Sequence, residues 1–304
     1  MTENKELEYL LGKGYDPAVA DGIRELQRKL EANDALYAAF LSVLNDFTAG
    51  RTAGMGEALD RLSALAEKYG VISEYGLHLL LVTNGLPYIH KVFAEKGMPD
   101  SVFYETMDDV RCKVNECVEC KGEVGTFVAG WYDRFFYGAC FAFGRFQYEK
   151  AAFGENSFTL SCGKTLKKGD LFINMHIPSR GIPLTDEIRL ASYRAAYEHY
   201  KRFFEDGTVI FGCHSWLLYD KHLEFLPEGM NIRKFVRDFE LVYSVPTEEF
   251  GDIWRVFGRY AGLPYEELPR DTALRKAYAE WLCSGHKSGV GLGVFAFDGE
   301  KIVR

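Results

Sequence analysis

The sequence has too little positive charge to grip a phosphate backbone. Its 304 residues carry 36 Lys and Arg against 44 Asp and Glu, a formal net charge of −8 with a pI near 5.5. The basic footprint of a nucleic-acid-binding protein is missing, so no nucleic-acid partner is expected. A long apolar run is missing too. The most apolar stretches, residues 75–86 and 125–146, are short or are interrupted by Asp133, Arg134 and Arg145, so no segment is expected to span a bilayer. The opening Met1-Thr2-Glu3-Asn4-Lys5-Glu6 is polar and acidic, unlike the basic and apolar start of a signal peptide. Nor is there a disulfide framework: seven cysteines is an odd number, scattered along a long chain. That usage suits the reduced thiols of a cytoplasmic protein.

What remains is ordinary globular composition, 47% hydrophobic and 26% charged. The aromatic share of 15%, with 23 Phe and 18 Tyr, predicts cores rich in rings. At about 150 residues per domain, the length suggests two domains or one large one.

The first 122 residues read as helices. Asp16-Pro17 is an N-cap followed by proline at the first helical position, with Ile23, Leu26 and Leu30 on one face. Asn33 or Asp34 caps the next segment, where Leu36, Phe40, Val43, Leu44 and Phe47 keep helical spacing. Residues 54–69 repeat the pattern, and Ser73 opens a helix that Asn84-Gly85-Leu86-Pro87 is expected to break or kink. One more helical stretch runs from about 100 to 120.

After Gly122 the pattern changes. Residues 127–137 read as a helix, and 140–153 as one strand on which Arg145, Gln147 and Glu149 alternate with Phe146 and Tyr148. Residues 171–177 form a second strand, stopped by Pro178. Thr185 caps a helix to Phe204 with Leu190, Tyr193, Ala196, Tyr197, Tyr200 and Phe204 as its inner stripe. Strands follow at 208–218, 239–245 and 291–297, with short helices around 221–235, 247–260 and 271–283. Strand-helix-strand over 171–218 has the length of a right-handed crossover between parallel strands. The expected fold class is therefore α/β (α+β): an α-helical domain over 1–122 joined to a mixed-sheet domain over 123–304.

Certain local phrases carry a resemblance. Gly144-Arg145-Phe146-Gln147-Tyr148-Glu149, Met175-His176-Ile177-Pro178, Pro183-Leu184-Thr185, Cys213-His214-Ser215-Trp216-Leu217-Leu218, Phe225-Leu226-Pro227 and Asn231-Ile232 occur in this order. Together they resemble a bacterial family of acyltransferases that pairs a helical N-acyltransferase N-terminal domain with a GNAT-like C-terminal domain. The resemblance covers residues 127–245, and the helical half matches in character alone. It implies that the strands at 171–177 and 208–218 splay apart to admit the pantetheine arm of an acyl-CoA, with the pyrophosphate at the helix opened by Thr185, where free N–H groups and the helix dipole favour an anion. Met175, Ile177, Ser179, Arg180, Gly181, Thr185 and Ser215 are the implied cofactor contacts. The loop departs from the usual Q/R-x-x-G-x-G/A pattern: Ser179-Arg180-Gly181-Ile182-Pro183 offers one Arg and one Gly, and Asp186 and Glu187 fill the first helical turn. Arg180 and Arg189 are the cations available to offset them.

Acyl transfer to an amine needs a base, a site for the oxyanion and a proton for the leaving thiolate. His176 stands at a strand end with Asn174 on the same face, and imidazole titrates near neutrality; the alternative is a hydrogen-bonded structural histidine. Glu149 is a second candidate base. It shares its strand face with Gln147 and Arg145, a substrate-binding strip or else a solvated edge, while Asn174 and His214 are further substrate contacts. Tyr219 is the candidate acid, or else an ordinary surface tyrosine. Cys213-His214 is not a nucleophilic dyad, because neighbours on a strand point to opposite faces, and Gly212-Cys213-His214-Ser215-Trp216 lacks the second glycine of a nucleophile elbow. Gly289-Val290-Gly291-Leu292-Gly293 precedes a strand and reads as a turn or bulged strand, not a dinucleotide loop. Cys112, Cys117 and Cys120 have an iron–sulfur spacing but lie in a helical pattern where their offsets do not converge, so no metal is expected.

The leading expectation is acyl-CoA-dependent N-acyl transfer, acetyl-CoA being the expected donor, to a small-molecule or peptide amine by direct attack, with the helical domain roofing the acceptor pocket. The alternative is a non-catalytic GNAT-like ligand-binding or interaction protein. A metal or redox protein is a third reading that rests on the cysteines alone.

Overall fold

A computed structural model describes residues 4–304. The chain forms two compact units that divide between Phe141 and Ala142. The change of pattern read at 122/123 is the end of a helix, where Gly122 takes the left-handed C-cap conformation after Lys121.

The first unit is helical: α1 (Lys5–Leu11), α2 (Pro17–Glu31), α3 (Asp34–Thr48), α4 (Met55–Tyr69), α5 (Glu74–Glu95), α6 (Asp100–Met107), α7 (Asp109–Lys121) and the short α8 (Asp133–Phe136). Asp16, Asn33 and Ser73 accept backbone N–H groups of α2, α3 and α5, as their positions predict. The single stretch expected over 100–120 is two helices meeting at Asp108, and 127–137 is a 3-10 turn at Ala129–Tyr132 followed by α8. Among the described residues no helix is long and apolar enough to cross a membrane.

The expected break at Asn84-Gly85-Leu86-Pro87 does not occur, and α5 runs through it for 22 residues. Tertiary contacts explain why. Proline at 87 has no N–H for the carbonyl of Thr83 four residues earlier, but the Asn4 side-chain amide donates to that carbonyl at 2.8 Å. The other atom of the same side chain, Oδ1, caps α1 by accepting from the Leu7 N–H. Gly85 is required by close approach, since a Cβ there would collide with the Phe136 ring. Asn84 donates to Gln27 on α2 and to the Leu80 carbonyl, each at 2.9 Å.

The second unit is built on a mixed sheet. The strand β1 (Cys140–Phe143) carries the chain across the division between the units. A turn at Gly144, with φ of 68°, separates it from β2 (Phe146–Ala152), so the segment read as one strand is two. A small hairpin, β3 (Ser157–Thr159) with β4 (Thr165–Lys167), was not anticipated. Next come β5 (Leu171–His176), α9 (Asp186–Tyr200), which continues as a 3-10 turn to Phe203, and β6 (Val209–Ser215). Then follow α10 (His222–Phe225), α11 (Asn231–Val236), β7 (Glu240–Pro246), α12 (Ile253–Phe257), α13 (Ala273–Cys283), β8 (Gly289–Phe297) and β9 (Ile302–Val303). From β2 onward the order in the sheet is β2-β5-β6-β8-β7, with β9 also on β8. β5 and β6 are parallel, as the crossover length predicts.

Alternation along the strands sorts the unit into layers. Phe146, Tyr148, Ile173, Met175, Phe211, Cys213, Phe295 and Phe297 face α9 and pack with Tyr193, Ala196 and Tyr200, the inner stripe expected for that helix. Phe172, Ile210, Leu292, Val294 and Ala296 face the other way and are covered with Phe153, Leu160 and Leu166. The Gly289–Gly293 run lies inside β8, where a Cβ at 291 would strike the Leu218 carbonyl; the bulge is on β7, between Leu241 and Tyr243.

A third cluster gathers Leu226, Phe250, Val256, Phe257, Leu268, Tyr278, Ala279 and Leu282. His222, fully buried, ties it to the rest. Its Nδ1–H donates to the Leu217 carbonyl at 3.2 Å and its Nε2 accepts from the Tyr278 hydroxyl. Burial disfavours the imidazolium and pushes the His222 pKa down to about 4.

Two measurements follow. Asn4→Ala is expected to cost about 1–3 kcal/mol in chemical denaturation, and less in a Pro87→Ala background, where the helix regains its own bond to Thr83. For His222 the folded state binds fewer protons than the unfolded chain between pH 6.5 and 4. Its contribution is therefore complete above pH 6.5 and shrinks as pH falls towards 4, by up to about 3 kcal/mol. Unfolding titrations should show this slope in the native protein and a flatter one in His222→Gln.

Candidate active site

The site begins where two strands part. β5 and β6 pair at only two positions, Ile173 with Phe211 and Asn174 with Gly212. Beyond these, Met175 and His176 no longer face a hydrogen-bonded neighbour on β6. The outer edges stay zipped: β5 pairs β2 from His176 to Leu171, and β6 pairs β8 along its whole length. Beyond Asn174 and Gly212 the two strands have no registered partner on each other, and a strand edge without a neighbour can pair with an extended ligand.

On the face away from α9, four polar side chains stand together. Register places Gln147 opposite His176 and Glu149 opposite Asn174. His176 Nε2 lies 2.7 Å from Glu149 Oε1, and the Asn174 amide donates to the same oxygen at 3.4 Å. Both members of the His176–Glu149 pair are about one-fifth exposed. The Asn174 amide nitrogen also lies 3.2 Å from His176 Nε2. Gln147 is fully buried, and neither its Oε1 nor its Nε2 has a hydrogen-bond partner.

The structure relocates several expected residues. Arg145 does not join the Gln147–Glu149 face: it sits in the turn before β2, and its guanidinium donates to the carbonyls of Pro178 at 2.7 Å and Ile182 at 2.9 Å. It is a clamp on the 178–182 loop, not a side chain presented to substrate. The Met175 side chain is in the core against α9, 1% exposed, leaving only its backbone to line the opening. Ile177 packs at the edge of the same core. Ser215 ends β6 and caps the 3-10 turn Trp216–Leu218, its Oγ accepting from Leu217 N–H at 3.1 Å. Tyr219 is not a surface tyrosine: it is 5% exposed, and burial, then Asp220, holds its hydroxyl above the ordinary value, so it stays protonated at neutral pH. His214 is exposed on the same face as His176, across the opening, with its ring 6.1 Å from that of Tyr243.

At the start of α9, Thr185 Oγ1 accepts from Ile188 N–H at 3.4 Å, as a cap should. The N–H groups of Asp186 and Glu187 have no acceptor within the helix. Ser179 and Gly181 are exposed in the loop, Gly181 with φ of 72°. Arg180 donates to the Gly144 carbonyl at 2.7 Å. Arg189 does not serve as a free cation for this turn. It is buried and held by Asp238 at 2.6 Å and 3.0 Å, by Asp186 at 3.1 Å and by the Leu184 carbonyl. The cations that sequence reasoning missed are Lys234 and Arg237, at and just beyond α11, and Lys301. With the carboxylates of Asp186, Asp238 and Glu300, and with Arg189, Leu190 and Tyr193, they line a cavity of about 490 Å³ beside the first two turns of α9. No motif links positions 185, 234 and 301, so only the packing of α9, α11 and β9 reveals them.

Residues 140–295, just over half the chain, match the family of the GNAT-like C-terminal domain. The chain belongs to this family. Its helical part, residues 5–138, matches the N-acyltransferase N-terminal domain, so a helical region and a GNAT-like mixed-sheet domain follow one another in this chain. An acyltransferase variant in complex with octanoyl-CoA shares the fold with a TM-score of 0.71 at 22% identity, over 100% of this chain and 88% of that one. An acyltransferase in complex with decanoyl-CoA and teicoplanin gives 0.69 at 22% identity, over 97% and 88%. No curated protein matches the sequence.

Arg145→Ala is expected to release the 178–182 loop of this GNAT-like domain. Hydrogen exchange should quicken across 178–184 and leave β6 and β8 as protected as before; unchanged exchange in the loop would remove Arg145 from the clamp.

Proposed function

We propose that the protein transfers an acyl group from an acyl-CoA to an amine by direct attack. The observation that carries this is the parting of β5 and β6 with the His176–Glu149 pair on its rim. The opening suits an extended arm carrying amides, because it offers strand edges that have lost their partners. Lys234, Arg237 and Lys301 suit the phosphates, beside helix N–H groups that favour an anion. They supply the charge that Ser179-Arg180-Gly181 lacks, and against which Asp186 and Glu187 act. The octanoyl-CoA and decanoyl-CoA bound by the structural neighbours support a medium-chain donor over acetyl-CoA. Teicoplanin in one of them supports a small-molecule acceptor over a peptide.

Acyl-CoA supplies the thioester carbonyl that the amine attacks. His176 takes the proton that the amine must lose, and Glu149 beside it stabilises the resulting imidazolium. Tyr219 is the proposed donor of the proton that the departing thiolate gains. The new bond is carbon–nitrogen, the broken one is carbon–sulfur, and the products are an amide and CoA thiol.

Exposed Asp186 and Glu187, with Arg189 already engaged, favour a second reading in which the domain binds a ligand without turnover. Calorimetric titration with octanoyl-CoA, acetyl-CoA and CoA separates the two, followed by an assay of thiol release with an amine panel. Lys234→Ala/Arg237→Ala is expected to weaken CoA binding at least tenfold. His176→Ala should lower turnover by about 10²–10⁴-fold with a nearly unchanged melting temperature. Binding without turnover would select the second reading, and no binding of any CoA species would reject the acyl-transfer reading.

A further inference from the structure

Gln147 is a buried side chain of this unit with neither of its polar atoms paired. It is fully buried near the start of β2, and both amide atoms lack a partner. An amide kept from water with neither its donor nor its acceptor engaged costs stability, and Met would fill the same volume without that cost. The position is not an arbitrary one. Gln147 is directly opposite His176 across the antiparallel β2–β5 ladder, on the same sheet face as Glu149 and Asn174. Glu149, Asn174 and His176 satisfy one another; Gln147 has no part in their hydrogen bonds.

Sheet order tells which reactant the amide meets. β2 and β6 lie on opposite sides of β5, and neighbouring strands are about 4.8 Å apart. The opening between β5 and β6 is on one side of His176 and Gln147 is on the other. A donor threaded through the opening approaches His176 from the β6 side, so the group that reaches Gln147 comes with the acceptor.

We infer that Gln147 is a specificity-determining residue that recognises a neutral hydrogen-bonding group, a hydroxyl or an amide, beside the reacting amine of the acceptor. This rests on the acyl-transfer reading of the site. A primary amide offers Oε1 as acceptor and Nε2 as donor, so it pairs with a group that can do either and gains nothing from a methylene. A hydroxyl placed next to the amine reaches Gln147 while the amine itself stands at His176. Discrimination arises because an acceptor lacking the group leaves the amide unpaired in the complex as well.

Two amines that differ by one hydroxyl test this: trans-2-aminocyclohexanol and cyclohexylamine. Binding of each is measured calorimetrically without donor, then kcat/KM is measured with octanoyl-CoA. The native protein should prefer the amino alcohol about tenfold or more in both. Gln147→Met should abolish that preference and raise the melting temperature, since it removes an unsatisfied buried amide. A raised melting temperature with the preference intact would make Gln147 a strained core residue and overturn the inference. Equal affinity of the native protein for the two amines, or binding of neither, would overturn it as well. If octanoyl-CoA is neither bound nor consumed while the amine preference stands and falls with Gln147, the acyl-transfer reading fails and the recognition of the hydroxyl survives.

Discussion

Backbone hydrogen bonding between β5 and β6 lasts for two residue pairs and then stops, and the second unit is organised around that interruption. A strand that loses a neighbour must find other partners for its N–H and C=O groups or leave them for water or a ligand. Here each strand keeps a complete ladder on its outer edge, β5 with β2 and β6 with β8, so the divergence does not unravel the sheet. The rings beneath hold it in place: Tyr193 and Tyr200 of α9 pack against Tyr148, Phe211 and Phe295 under both strands. Beyond the two registered pairs, the C-terminal ends of these parallel strands lie next to the start of the helix that connects them.

The polar groups around these strand ends have distinct duties that their chemistry separates. Arg145 and Arg189 are cations on paper, yet both are spent on the protein itself, one on loop carbonyls and the other on Asp238. Their planar forks satisfy several acceptors at once, which suits a structural role in a partly buried place. The cations left over, Lys234, Arg237 and Lys301, sit at the surface near α9, where a phosphate could meet them without first breaking a buried pair. On the other sheet face, Glu149, Asn174 and His176 share one cluster of hydrogen bonds.

The helical unit shows the same dependence on partners at long sequence distance. Asn84-Gly85-Leu86-Pro87 has every local mark of a break, because glycine and proline both weaken a helix interior. It persists because Phe136 needs the space at Gly85 and Asn4 replaces the donor that Pro87 lacks. Local propensity is outweighed by contacts some 50 to 80 residues away.

Helix starts at Asp16, Asn33, Ser73, Thr185 and Thr272 follow from side chains that reach a backbone N–H two or three residues on, an interaction written in the local sequence. The α9 stripe and the parallel relation of β5 and β6 were legible for a related reason: periodicity and crossover length are local quantities. The family phrases added the expectation of a notch. Whether a polar residue near it faces a ligand or the protein was not legible. Arg145 and Gln147 are two positions apart and equally polar, yet one is a loop clamp and the other an orphaned amide opposite His176. The same holds for Met175, Arg189 and Tyr219, whose neighbours come from α9, the turn between α11 and β7, and β8. A side chain's partners are set by which distant segments the fold brings against it, and that is decided in tertiary structure, where each contact competes with water and with every other possible partner.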